Sequence, residues 1–148
     1  MIATAVFGLN VVTSGPAAAA SGTWRSYEND NNPIKYSPHF WDCAATKEIA
    51  NDIFAQLCVV KRDSSPHAGT AAVIVRNNRS TLYSAEARGD LVAFADKSHL
   101  GYWTCSRSGV GPGTWSVCWG QWVVTSRFVE ANAGGVNGVA LPHREVGV

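Results

Sequence analysis

Apolar positions fall in short runs along most of this chain, and turn-forming residues interrupt them about every ten residues. Thr70–Arg76 is almost wholly apolar, and Arg79–Ala85 follows after Asn77-Asn78. Asparagine tolerates the left-handed backbone of a two-residue turn, so the pair predicts a hairpin with Val75 opposite Ser80, Val73 opposite Leu82 and Ala72 opposite Tyr83. Next, Tyr83, Ala85 and Ala87 alternate with Ser84, Glu86 and Arg88, which is the period of a strand with one wet face. Further strands are expected at 91–94, 101–105, 115–124 and 127–132. Turns are expected at Gly109–Gly113 and Gly134–Gly138, with an edge or loose tail from Ala140. About six to eight short strands predict an all-β fold, a small antiparallel sandwich or barrel.

One stretch is ambiguous by period alone. Ala45, Ile49, Ile53, Phe54 and Leu57 recur at helical spacing. The cysteines decide it. Midway between Cys43 and Cys58 lies Ala50-Asn51-Asp52, and midway between Cys105 and Cys118 lies Gly111-Pro112-Gly113, both of them turn chemistry. Positions facing each other across a hairpin stand roughly 4.5–5.5 Å apart, within disulfide reach. Cys43–Cys58 and Cys105–Cys118 are therefore expected, each stapling a hairpin. A helix over 44–57 would hold Cys43 and Cys58 some 20 Å apart, at about 1.5 Å per residue, so it is excluded together with a metal reading. The cysteines offer no CxxC pair and no histidine at ligand spacing.

The first twenty residues carry no charge: an apolar run from Ile2 to Val12, a Thr13-Ser14-Gly15-Pro16 break, then Ala17–Ala20. This reads as an export signal over 1–20 that lacks its basic start, so the true start is expected upstream of Met1. Four cysteines in an exported chain fit two disulfides and an extracellular protein. Residues 21–42 then form an irregular N-terminal extension rich in Asn and Pro, ahead of a sandwich domain at 43–148. The extension carries Trp24, Tyr27, Tyr36, Phe40 and Trp41. These aromatics either pack over the domain's own sheet or insert into another protein.

Charge excludes more than it suggests. Twelve Lys/Arg against eleven Asp/Glu leave a net charge of +1, with no basic run to hold nucleic acid. No stretch has the length of a membrane span. The four histidines, His39, His67, His99 and His143, stand beside turn residues, and neither HExxH nor a nucleophile elbow occurs. Glu86, Asp90, Asp96 and Glu130 have no spacing that marks an acid and a base. No catalytic residue, cofactor or metal is expected. Trp103, Trp115, Trp119 and Trp122 lie within twenty residues. In an extended strand Trp119 and Trp122 point to opposite faces. Beside Cys118, Trp115 or Trp119 is expected to fill the core. A carbohydrate-binding module would use Trp103 or Trp122 as a stacking platform, and a protease inhibitor would present Ser106–Thr114 as a rigid loop.

Trp41-Asp42-Cys43, Ala55–Val60, Ala72–Ser80 and Trp115–Gly120 together resemble a family of small exported actinobacterial proteins, the small adaptor subunit of Streptomyces umbrella toxin particles. The resemblance implies a non-enzymatic linker. Its partners would be a lectin-bearing subunit with a trypsin-like domain and the repeat-containing spokes of a large polymorphic toxin. It further implies that the N-terminal extension engages the lectin-bearing partner, which would make Trp24, Tyr27, Tyr36, Phe40 and Trp41 the anchors. Removal of Ser21–Pro38 would then leave a folded domain without its partner.

Overall fold

The computed structural model describes residues 19–29 and 31–143, so nearly all of the export signal expected at 1–20 lies outside the described residues. In chain order the strands are β1 (Ala20–Ser21), β2 (Thr23–Tyr27), β3 (Phe40–Cys43), β4 (Lys47–Ala50), β5 (Ile53–Lys61), β6 (Ala68–Asn77), β7 (Tyr83–Ala93), β8 (His99–Val110), β9 (Trp115–Trp119), β10 (Val123–Val124), β11 (Val129–Val136) and β12 (Val139–Ala140). They build a sandwich. One sheet runs β1-β8-β7-β11-β12; the other runs β2-β9-β6-β5-β3, with β4 also on β5 and β10 also on β6.

The two sheets differ in how many faces they bury, and the side chains say why. In β7, Ala85, Ala87 and Leu91 are buried between the sheets while Ser84, Glu86 and Arg88 face solvent, as the alternation predicts. In β5 both faces are covered. Ile53, Ala55, Leu57 and Val59 join the inter-sheet core, and Cys58 and Val60 join a second cluster on the outer face with Ala72, Ile74 and Val117. A sheet buried on both sides needs apolar residues in continuous runs, and Ala71–Val75 is such a run.

Both disulfides form as expected, but they do different jobs. Cys43 faces Cys58 directly across β3 and β5 with 4.0 Å between Cα atoms, and the chain reverses at Asn51-Asp52, where Asp52 has φ 55°. This is the expected staple, and 44–57 is strand and turn. Cys105 and Cys118, with Cα atoms 5.9 Å apart, lie in different sheets. The turn at 111–114 carries the chain from one sheet to the other, so this bridge joins the two layers rather than stapling a hairpin.

The expected hairpin at Asn77-Asn78 does not form either. β5 and β9 occupy both edges of β6, leaving none for β7, which belongs to the other sheet. Asn77 organises the crossover instead. Its buried side-chain amide donates to the carbonyls of Thr81 (2.8 Å) and Val110 (2.9 Å) and accepts from the Arg79 N–H (2.9 Å). Residues 91–93 continue β7, and the real turn near Gly134–Gly138 is Asn137-Gly138, with φ of 47° and 79°, a two-residue hairpin loop.

Residues 21–42 are more regular than the sequence suggests. β2 is an edge strand of the second sheet, pairing with β9 from Thr23 opposite Trp119 to Tyr27 opposite Trp115. Among the described residues, 31–39 lack strand structure and form a strap over the outer face.

Candidate functional site

The period of β2 places Thr23, Arg25 and Tyr27 on one face and turns Trp24 toward the inter-sheet core. Trp24 is fixed there by its indole N–H, which donates to the Ser106 carbonyl at 2.7 Å. The strap closes over Thr23, Arg25 and Tyr27. Its shape comes from local hydrogen bonds. Asn32 Oδ1 accepts from the N–H groups of Ile34 (2.9 Å) and Lys35 (3.1 Å), and the Ser37 and His39 N–H groups donate to Ile34 O and Ser37 Oγ, both at 3.2 Å. Pro33 is buried, and Ile34 packs on the outer cluster.

Between strap and sheet runs a groove of about 720 Å³, lined by Thr23, Arg25 and Tyr27 of β2, by strap residues including Asn31, Asn32, Tyr36 and His39, and by Trp119 and Trp122. Its aromatic wall is continuous. Trp41 meets Trp119 edge-on at 5.0 Å, Trp119 stacks on Trp122 at 6.2 Å, and His39 meets Trp122 edge-on at 5.0 Å. Trp41 Nε1 is buried there without a hydrogen-bond partner.

Trp119 and Trp122 thus share a face, against the expectation from strand period. β9 stops at Trp119, and Gly120 leads an excursion before β10 resumes pairing with β6 at Val123 opposite Gly69. The excursion is shaped by the indole beneath it: a Cβ on Gly120 would stand 2.6 Å from Trp103 Cε3. Trp103, only 3% exposed, therefore fills the inter-sheet core, while Trp115 and Trp119 pack on the outer cluster.

Trp103 is buried, whereas Trp122 lines the groove with the Arg62 guanidinium 5.0 Å from its centroid and Trp119 stacked beside it. Residues 106–110 belong to β8, where Ser108–Val110 pair with β7 and 106–107 bulge, so that only the turn at 111–114 is left of the loop expected at Ser106–Thr114.

The five expected anchors divide among three places. Tyr27 and the exposed Tyr36 line the groove, and Trp41 belongs to the aromatic wall behind it. Trp24 serves the core, and Phe40 lies at one end of the sandwich, opposite Lys61. Sequence reasoning missed Arg25, Asn31, Asn32, His39 and Trp119 as groove residues. The alternation in Thr23-Trp24-Arg25-Ser26-Tyr27 was the available signal for Arg25.

No family model, curated protein or solved structure matches the chain. Its chemistry has to be read from the side chains. Among the described residues no three His, Cys, Asp or Glu side chains gather as a metal site. His99 Nδ1 lies 3.0 Å from Asp90 on the outer face of the first sheet, away from the groove. The groove combines indole and phenol rings with a guanidinium and carboxamides, the composition of a recognition surface.

One titration reports on the strap. Burial, and then the nearby Arg62 guanidinium, hold the His39 imidazole below its ordinary pKa of 6.5. The folded protein thus prefers neutral His39. Its contribution to stability is complete above the unfolded value and is lost as pH falls from there through the folded value. Unfolding measured from about pH 8 to 5 should show this loss, and His39→Gln should flatten that part of the curve. An unchanged profile in His39→Gln would remove His39 from the account.

Proposed function

We propose that this protein is a non-enzymatic secreted adaptor that joins a lectin-bearing subunit with a trypsin-like domain to a repeat-containing toxin subunit in an antibacterial particle. The observation that carries the reading is the aromatic groove between the strap and the second sheet. It presents Tyr36 to solvent and Arg25 beside rings, the residue types that dominate protein interfaces. The resemblance supports it in a way that was not visible along the chain. Trp41–Cys43, Ala55–Val60, Ala72–Ser80 and Trp115–Gly120 fall on β3, β5, β6 and β9, four neighbouring strands of the one sheet whose outer face carries the groove. Two disulfides fit an oxidising, extracellular setting, and no described helix is long and apolar enough to cross a membrane.

Deleting Ser21–Pro38 is no longer a clean test, because it removes β2 from the edge of the sheet. Point changes in the groove avoid this. The tagged full chain, recovered from the producer's culture medium, should bring down a large secreted partner. Arg25→Ala with Tyr36→Ala should lower that recovery by about tenfold or more while the melting temperature stays unchanged. Undiminished recovery would defeat the groove as the docking site, and no secreted partner for the wild type would defeat the adaptor.

A further inference from the structure

Among the described residues, four of the six large apolar side chains that stand out into solvent gather at one end of the sandwich: Phe40 (57% exposed), Phe94 (41%), Val124 (70%) and Phe128 (65%). The two sheets converge there, since a Cβ on Gly69 at the start of β6 would stand 2.7 Å from Val129 Cγ2 at the start of β11. The Phe94 N–H donates to the Phe128 carbonyl at 2.9 Å, and Phe40 faces Lys61 across β3 and β5. Val124 pairs with Ala68 at the same end. A monomer rarely leaves so many large apolar groups together without a use for them.

The charges around this patch select its partner. Lys97 Nζ lies 4.9 Å from the Phe94 centroid and 2.6 Å from buried Glu130, and Arg127 is 2.6 Å from Asp96. Asp96 stays ionised, its pKa lowered to about 2 by the Ser98 backbone N–H, the Ser98 hydroxyl and Arg127. Those two cations are already neutralised. Lys61 and Arg62 lie instead over the rings of Phe128 (4.9 Å) and Trp122 (5.0 Å). With exposed Asp63 next to them, the end keeps only a small positive excess. That is too little to hold an anionic bilayer, which is drawn by unpaired cations in number. It suits an apolar protein surface bordered by a few carboxylates.

We propose that this phenylalanine end docks a second folded protein, one that presents an apolar depression edged by carboxylates. The proposal rests on the adaptor reading, because it supplies the second of the two faces such a subunit needs. The groove lies on the outer face of one sheet, whereas this patch lies where both sheets end, and the two adjoin where His39 leads into Phe40 and Trp122 into Val124.

The experiment uses the tagged full chain from culture medium, as wild type, as Phe94→Ser with Phe128→Ser, as Lys61→Glu and as the groove variant. The phenylalanine variant should lose at least about tenfold of one co-purifying protein and keep the protein that the groove variant releases. Lys61→Glu, which leaves all the rings in place, should weaken the same partner as the phenylalanine variant. Retention of every protein by both end variants overturns this inference alone, whereas a wild type with no secreted partner overturns the adaptor reading itself. Two other results would also overturn it. One is flotation of the wild type but not the phenylalanine variant with phosphatidylglycerol–phosphatidylcholine vesicles. The other is a concentration-dependent doubling of mass that the same substitutions abolish, which would assign the end to a second copy of the chain.

Discussion

Replacing Cys105 and Cys118 together by alanine should destabilise the protein by about 4–5 kcal/mol, against about 3 kcal/mol for the same change at Cys43 and Cys58. The bridges span similar sequence separations, 13 and 15 residues, so closing their loops restricts the unfolded chain almost equally. The difference lies in the folded state. Cys105 and Cys118 are both buried in the inter-sheet core, where truncating the bridge leaves a void between layers that backbone on either side keeps apart. Cys58 is buried in the outer cluster, but Cys43 is half-buried, so the void at this bridge opens partly toward solvent. Urea unfolding of the two double variants beside the wild type measures this directly. Equal midpoints, or a larger loss at Cys43 and Cys58, would contradict an inter-sheet role for the second bridge.

Trp103→Ala should be similarly damaging, at about 3–5 kcal/mol. Two glycines are moulded to this indole: a Cβ on Gly101 would lie 2.5 Å from Cζ2, and one on Gly120 2.6 Å from Cε3. Side chains cannot move into the vacated space from those directions, because there are none. The surrounding strands would have to shift, and Gly120 is tied by its N–H to the Ala71 carbonyl at 3.0 Å. Trp122→Ala, by contrast, trims a half-buried ring at the groove and should cost about 2 kcal/mol or less. Thermal unfolding of both variants is the check. A milder effect at Trp103 than at Trp122 would mean that the outer cluster, not the inter-sheet core, dominates stability.

Cys105 and Cys118 pair as expected, though across the two sheets and not across a hairpin. Strand character, the Asn51-Asp52 reversal, the wet and dry faces of β7 and the Cys43–Cys58 staple were legible from residues alone. These are local properties, or follow from distances that the covalent chain imposes. Which sheet a strand joins is not local. Asn77-Asn78 has the chemistry of a hairpin turn, yet the pairing partners of β6 come from β5 and β9, and the asparagine amide caps a crossover instead. A signal was present in the unbroken apolar run at 71–75, which marks a strand covered on both faces and so a central one. The groove was only half legible. Aromatic residues identify the N-terminal segment, but strand period carried through Gly120 puts Trp119 and Trp122 on opposite faces, and the strand ends at Trp119. Glycine within a strand pattern often marks a break or a close approach, and here it marks both.

The strap is anchored at each end by different means. Ahead of it, β2 is held by backbone pairing to β9; behind it, β3 is held by pairing to β5 and by the Cys43–Cys58 bond. It is therefore a handle with two fixed roots. With both roots held, Pro33 buried and Ile34 packed on the outer cluster, the freedom the strap could gain is bounded by the short span between the roots. A peptide-bond cut at the exposed Lys35 would likewise free neither half: the folded protein would keep its mass and lose only the handle's closure.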